Sequence, residues 1–362
     1  MNILLPRSAA ALLMLTPAAP ALAQDNSDQP ITVAASLPFP TAGVMNSHIH
    51  DGGEVMIGLS YQRITHSGDT RSGTDRIADA DILAAGYTTR TQRMVMDMVM
   101  IDIMFAPTDD FTLMVMPHWM RHEMTMVGID PANTGEMEMD GMDMTHSHHA
   151  IPFGETMTHS VEGFGDTLFA ASYRLARSAD FNAHATLGIW APTGKVDRKN
   201  PDGRFVHYAM QSGSGTWDVE PSLTLSGNAG DFGWGAQASY RWRGEDANES
   251  GFAFGDRAQA SIWASRLLSP TASATGRLGW EHESQISGRY NGAHNHSAPP
   301  DRQANYGGDT VLAAIGFNWV LPVGGKSPPQ LGVEAGVPLY KNLNGIQLPE
   351  SWRMAVALNT VF

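Results

Sequence analysis

The sequence predicts an all-β protein, a transmembrane antiparallel β-barrel of about twelve strands with long extracellular loops and short periplasmic turns. Three observations carry that expectation. Apolar and polar residues alternate with period two through nearly every segment, and the apolar parity ends in aromatics, as a strand with one lipid-facing and one lumen-facing side requires. Long polar connections alternate along the chain with short turns, which gathers the long loops at one rim. Beyond an N-terminal export segment there is no uninterrupted apolar run of the roughly 20 residues that a spanning helix needs, so a chain of this kind crosses a membrane only as a closed sheet.

Residues 1–23 carry the export pattern. Arg7 precedes the apolar run from Ala9 to Leu15, and Ala21, Leu22 and Ala23 supply the small-residue cleavage site, so the mature chain is expected to begin at Gln24. Residues 24–52 read as a polar, proline-containing periplasmic leader. It ends in Met45, His48, His50 and Asp51, a cluster of metal-ligand types in what otherwise reads as solvated linker. The barrel is expected over 53–362. Its strands fall at 54–66, 91–105, 110–126, 163–177, 180–193, 215–229, 231–243, 256–268, 271–288, 308–321, 330–341 and 350–362. The even-numbered strands end in short turns, such as Pro107 to Asp110 and Ser269-Pro270, and the odd-numbered ones in the longer segments 67–90, 127–162, 194–214, 244–255, 289–307 and 342–349. A soluble β-sandwich would share the alternation but not the export segment or the loop asymmetry.

Parity assigns each strand its two faces. Phe232, Trp234, Ala236, Ala238, Tyr240 and Trp242 oppose Gln237, Ser239, Arg241 and Arg243. Val311, Ala313, Ile315, Phe317, Trp319 and Leu321 form another apolar row, and the last strand runs Trp352, Met354, Val356, Leu358, Thr360, Phe362. A terminal aromatic on a conforming strand resembles the signal that the barrel-assembly machinery reads, which makes that machinery an expected partner through Phe362.

The second and third strands are chemically unusual. Met94, Met96, Met98, Met100, Asp102 and Met104 share one parity, opposed by Val95, Val99, Ile101, Ile103 and Phe105. After the turn, Met114, Met116, His118, Met120, His122, Met124 and Met126 oppose Leu113, Val115, Pro117 and Trp119. A hairpin brings both rows onto one face, expected to be the lumen. Thioethers are soft and neutral ligands that suit Cu(I), while imidazoles admit Cu(II) as well. The loop that follows repeats the ligand set amid carboxylates, with Met137, Met139, Met142, Met144, His146, His148 and His149, and reads as a cation-capturing mouth. The bland alternative is that methionine fills the interior as a flexible packing residue. His184, His207 and His282 read as isolated polar residues.

Composition narrows the function classes. With 37 acidic against 23 basic side chains and a formal charge of -14, nucleic acid is not an expected partner and cation attraction is. Cysteine is absent, which leaves Met, His and carboxylates for metal chemistry. No nucleophile elbow, phosphate loop or His-Glu-x-x-His helix occurs, and no enzyme is expected.

Gly163-Phe164-Gly165-Asp166 leading into Ala171 to Arg174, then Trp190-Ala191-Pro192-Thr193-Gly194-Lys195, then Gly213-Ser214-Gly215-Thr216-Trp217-Asp218, and the closing strand to Phe362 resemble the outer-membrane family named for the MetA pathway of phenol degradation. That resemblance implies a transport-type barrel of a Gram-negative outer membrane, with aromatic or other hydrophobic compounds as cargo. The Met/His segment departs from it and is similar instead to copper-resistance outer-membrane proteins. The reading favoured at this level is a barrel that binds copper, chiefly Cu(I), and moves it in tolerance or efflux, with outer-membrane lipid, copper ions and a periplasmic copper carrier as partners. Passive passage of aromatic compounds is the alternative, and surface copper buffering without transport is a third.

Overall fold

The computed structural model describes residues 42–134, 151–323 and 328–362, all within one compact unit, Ser36–Phe362. Twelve strands form the barrel: β1 Val55–Ser67, β2 Thr89–Thr108, β3 in two segments (Phe111–Met116 and His118–Gly128), β4 in two segments (Thr156–Phe164 and Thr167–Arg177), β5 Phe181–Ala191, β6 Asp218–Ala229, β7 Phe232–Arg243, β8 Arg257–Ser269, β9 Ala272–Glu283, β10 Gly308–Val320, β11 Gln330–Gln347 and β12 Glu350–Val361. Each pairs antiparallel with its neighbours, and β1 closes the sheet by pairing with both β2 and β12. Closure leaves no sheet edge to be satisfied in lipid.

The outer surface is what makes this a membrane protein. Ile57, Leu59, Ile101, Ile103, Leu187, Ile262, Leu278 and Ile315 all stand exposed, Ile315 at 75%, and a continuous apolar belt of this extent is stable only against lipid. On β7, Phe232 and Trp234 at one end and Tyr240 and Trp242 at the other bracket Ala236 and Ala238, the arrangement of the two aromatic girdles. The belt ends on β1 and β2 just above Val99. There Arg63 pairs with Asp97 at 2.6 Å, and Tyr61 donates to the same carboxylate at 2.5 Å. Ionic side chains on the outer face at that level stand in water or headgroups rather than hydrocarbon.

The even-to-odd partition of the first hairpin holds in one register from Met94 to Met104, where Met98 lies opposite Met120 and Met104 opposite Met114, with shifts only beyond it at Thr91/Arg93 and Phe105/Thr108. The turn is shorter than expected, because β2 continues to Thr108 and leaves only Asp109 and Asp110 between the strands. A larger difference concerns β4. It begins at Thr156 rather than 163, and its pairing with β3 slips by one residue across Gly165 and Asp166, since Met116 faces Leu168 while Trp119 faces Phe164. The slip changes the lumen parity from even below to odd above, as a β-bulge does. Pro117 divides β3 at the same level. It has no N–H to give to a ladder.

The long connections are folded rather than loose. The β1–β2 segment contains a short helix, α1 Asp79–Ala84, whose Ile82 is fully buried against Val127 and Ile129. Phe205, Tyr208, Phe252 and Tyr290 from three other long loops share a second core, with the Tyr208 and Tyr290 rings stacked at 4.3 Å. At the opposite end, residues 42–50 run inside the barrel, and Gly52 and Gly53 are exposed at its rim. His184 faces the Asn46 carbonyl at 3.0 Å, Gln237 donates to the Met45 carbonyl at 2.9 Å, and the His50 amide donates to Thr112 Oγ1 at 3.1 Å. Arg174 and Arg177 hold Asp51 at 3.1 and 2.8 Å. The leader thus lines the inner end of the lumen. The signal segment 1–23, and the leader up to residue 41, lie outside the described residues.

Candidate functional site

The lumen encloses a cavity of about 580 Å³ whose walls are chemically unlike. The β1–β3 side contributes Met94, Met96, Met98, Met100, Met120, Met124, His118 and His122. The facing side, from β6 to β12, contributes Glu220, Arg241, Arg243, Arg257, Arg277, Glu281, Glu283 and Arg353 with Ser, Thr and Gln between them. Charge on that side is largely paired. Arg241 and Arg243 each reach Asp218 at 2.5 Å, Arg277 pairs with Glu334 at 2.5 Å, and Arg353 with Glu350 at 2.5 Å. Buried charges are stable when paired and hydrogen-bonded in this way. Ala42 to Asn46 bound the cavity below, and Ala209, Pro299, Pro300 and Tyr306 bound it above.

Trp190 on β5 joins the two walls. Its ring meets His118 edge-on at 6.2 Å on the methionine side, Arg241 lies over it at 4.2 Å on the other, and its Nε1–H donates to Glu220 at 2.7 Å. Beside it, three sequence motifs converge. The buried Asp166 carboxylate accepts hydrogen bonds from the Gly194 amide at 3.1 Å, the Ser214 amide at 2.8 Å and the Ser214 hydroxyl at 2.7 Å. Gly194 and Gly213 approach so closely that a Cβ on Gly194 would stand 2.6 Å from the Gly213 Cα. These residues hold the connection after β5 against the bulge in β4.

The structure divides the expected metal ligands into three groups. Met104, Met114 and Met116 are buried with Met56, Leu168, Ala170 and Trp190. Met94, Met124 and Met126 are buried with Ile151, Val206, Met210 and Ala298, and the Thr91 hydroxyl points at the Met126 sulfur at 3.5 Å and the Met124 sulfur at 3.9 Å. These six are packed among other side chains, although both groups border open space. Between them Met96, Met98, Met100, His118, Met120 and His122 line the cavity. The loop ligands Met137, Met139, Met142, Met144, His146, His148 and His149 lie outside the described residues.

A smaller chamber of about 100 Å³ lies beneath, lined by Met45, His48, Met56, Met100, Asp102 and Met104 among others. Asp102 is there, as expected, near the lower end, and it accepts from the Ser60 hydroxyl at 3.1 Å. The position of His48 under the methionines was not readable from its run of ligand-type residues, because a leader's docking site is a matter of distant contacts. Among the described residues no group of three or more His, Asp or Glu is arranged to hold a metal. His50 faces Glu54 at 3.2 Å, His207 faces Asp301 at 2.7 Å, and His282 faces Asp309 at 3.0 Å. Trp190, Arg241 and Asp218 were missed as lumen residues of interest. Their parity was legible; their mutual contact was not.

Comparison with known proteins agrees with this fold. A family model described as "Putative MetA-pathway of phenol degradation" matches residues 127–326. The crystal structure of an outer-membrane channel from Pseudomonas putida F1 is similar at a TM-score of 0.57 and 15% identity, covering 88% of this chain and 99% of that one. A FadL homologue from Pseudomonas aeruginosa aligns at a TM-score of 0.38 and 9% identity, over 86% of this chain and 89% of its own. No curated protein matches the chain. The family match spans more than half of the 362 residues and includes all three motifs around Asp166, so this outer-membrane barrel belongs to the family described by the MetA pathway of phenol degradation.

Proposed function

We propose that the barrel is a passive channel for small solutes that combine an aromatic or apolar body with a polar group, phenol-like compounds being the type. The single observation that carries this reading is the two-sided lumen. A thioether wall offers polarizable, adaptable contact to an aromatic ring, while the opposite wall offers paired arginines and carboxylates to a hydroxyl or an anionic substituent. A cavity of about 580 Å³ lies within the range of small-molecule sites. The family's name and the similar channel from Pseudomonas putida F1 support the same reading.

Copper movement along the lumen, which the methionine rows favour in the sequence, is the lesser reading. Below the open stretch the sulfurs are packed with Leu168 and Trp190, and above it with Ile151 and Val206, so less of the ladder faces open space there than in the middle stretch. The reading is tested in proteoliposomes. Benzenesulfonate and 4-hydroxybenzenesulfonate, aromatic anions that lipid alone holds back, should equilibrate across them far faster than across protein-free vesicles, and glucose should not. Equal rates for these anions and glucose, or no enhancement for the anions, would remove the proposal.

A further inference from the structure

Six side chains on the open stretch of the lumen wall form three cross-strand rungs. Met96 lies directly opposite His122, Met98 opposite Met120, and Met100 opposite His118, and all six line the large cavity. Directly opposed residues hold their Cβ atoms about 4.5–5.5 Å apart, and successive rungs on one face follow at about 6.8 Å. Each thioether sulfur sits two bonds beyond its Cβ on an unbranched arm, so sulfurs and imidazole nitrogens of neighbouring rungs can meet at one ion.

His122 supplies the second observation. It is 3% exposed, and among the described residues neither ring nitrogen makes a hydrogen bond of ordinary length and angle, although the Ala209 backbone lies near enough to act on the ring. The buried Nδ1 of His118 is likewise without one. A buried imidazole without partners pays the desolvation of its polar atoms uncompensated. It sits on the same wall as four thioethers; the carboxylates beside it on the strand pair, Asp97 and Glu123, have outward parity, and Asp102, on the lumen face below Met100, accepts a hydrogen bond from Ser60. A neutral, soft donor set of sulfur and imidazole selects Cu(I) or Ag(I) and disfavours Mg(II), Ca(II) and Zn(II).

We infer that these three rungs form a discrete binding site for a soft monovalent cation in the lumen wall, independent of what the lumen conducts. The packed methionines above and below are scaffold, not ligands.

The full-length protein, labelled with ¹³C at the methionine methyls and folded in detergent micelles, is titrated with Ag(I) and, separately, with Zn(II). Methyl resonances of Met96, Met98 and Met120 should shift with Ag(I) and not with Zn(II), while those of Met104, Met114 and Met116 should stay. A variant carrying Met96→Leu, Met98→Leu and Met120→Leu keeps the volume of the wall, and heat-modifiable gel migration verifies its fold. His122→Leu is made as an independent variant. In each variant the Ag(I) step seen at the remaining lumen methionine methyls, Met100 in both and Met98 in the second, should weaken roughly tenfold or more, since even outer partners of metal sites matter on that scale. Unmoved lumen methyls in the parent, or unchanged affinity at those methyls in both folded variants, would overturn the site. Solute flux is measured separately on the metal-free parent, so loss of metal binding in the variants and failure of the channel reading give different results.

Discussion

The Arg241 guanidinium lies 4.2 Å from the centre of the Trp190 ring, and this contact ties the ion-paired wall of the lumen to the methionine wall. Trp190 also donates to Glu220 at 2.7 Å. Trp190→Phe keeps most of the stacking surface but leaves that carboxylate without its indole donor, so stability should fall by about 1–3 kcal/mol. Trp190→Ala opens a hole beside Leu168 and Met116 and should cost about 3–5 kcal/mol. Urea unfolding in lipid vesicles measures both, and the alanine variant should also widen the range of solutes that pass.

The Asp166 carboxylate serves two backbone amides and a hydroxyl. Asp166→Ala leaves the buried Ser214 amide unpaired, at a cost of about 1–3 kcal/mol per orphaned group. The connection between β5 and β6 should then become cleavable by added protease while the barrel still shows heat-modifiable migration. Gly194→Ala should act in the same direction, because its Cβ would press on the backbone of Gly213. Parental protease resistance in both variants would show that the three motifs do not hold this connection.

The outer face distinguishes positions four residues apart on β2. Ile101 lies in the exposed apolar belt, and Ile101→Arg should impair insertion by about 2–4 kcal/mol near the midplane. Asp97, above the belt, is half-buried and pairs with Arg63. Asp97→Asn should cost no more than about 1 kcal/mol, as surface ion pairs do. Folding yield into vesicles of defined thickness separates the two.

Acid should loosen the docked leader. Burial, and then the neighbouring His50 and His184 rings, hold the His48 imidazole below its ordinary range; burial lowers His50 too, against the opposing pull of Glu54 and Asp51. A base with a lowered pKa binds fewer protons docked than released, so docking is fully stable above the ordinary histidine value of about 6.5 and weakens as pH falls below it. Hydrogen exchange at residues 44–50 should therefore rise, relative to the intrinsic rate, between neutral and mildly acidic pH, and His48→Gln should flatten that rise. A flat profile in the parent would show that these rings do not couple docking to pH.

Much of this architecture was legible in the residues. The strand positions, the closing of the barrel and the alternation of short turns with long loops follow from period two and from turn chemistry, which are local properties. The same holds for the lumen parity of the methionine hairpin. The bulge at Gly165 and Asp166 was not legible, since one inserted residue reverses parity without leaving a compositional mark. Nor was the helix at Asp79–Ala84, six residues long and supported by burial of Ile82 rather than by propensity.

The sequence by itself determined that Met94 to Met104 and Met114 to Met126 share the inner face, because successive side chains on a strand must point to opposite sides. Only the tertiary structure decided which of them are ligand candidates. Whether a lumen residue is packed or open depends on what the far side of the barrel, the loops and the leader bring against it. Leu168 and Trp190 bury Met116, and Ile151 and Val206 bury Met124 and Met126, whereas among the described residues Met98 and Met120 are left lining the open cavity. Those neighbours lie 25 or more residues away along the chain, and their approach is set by strand register and barrel closure, which no local pattern encodes.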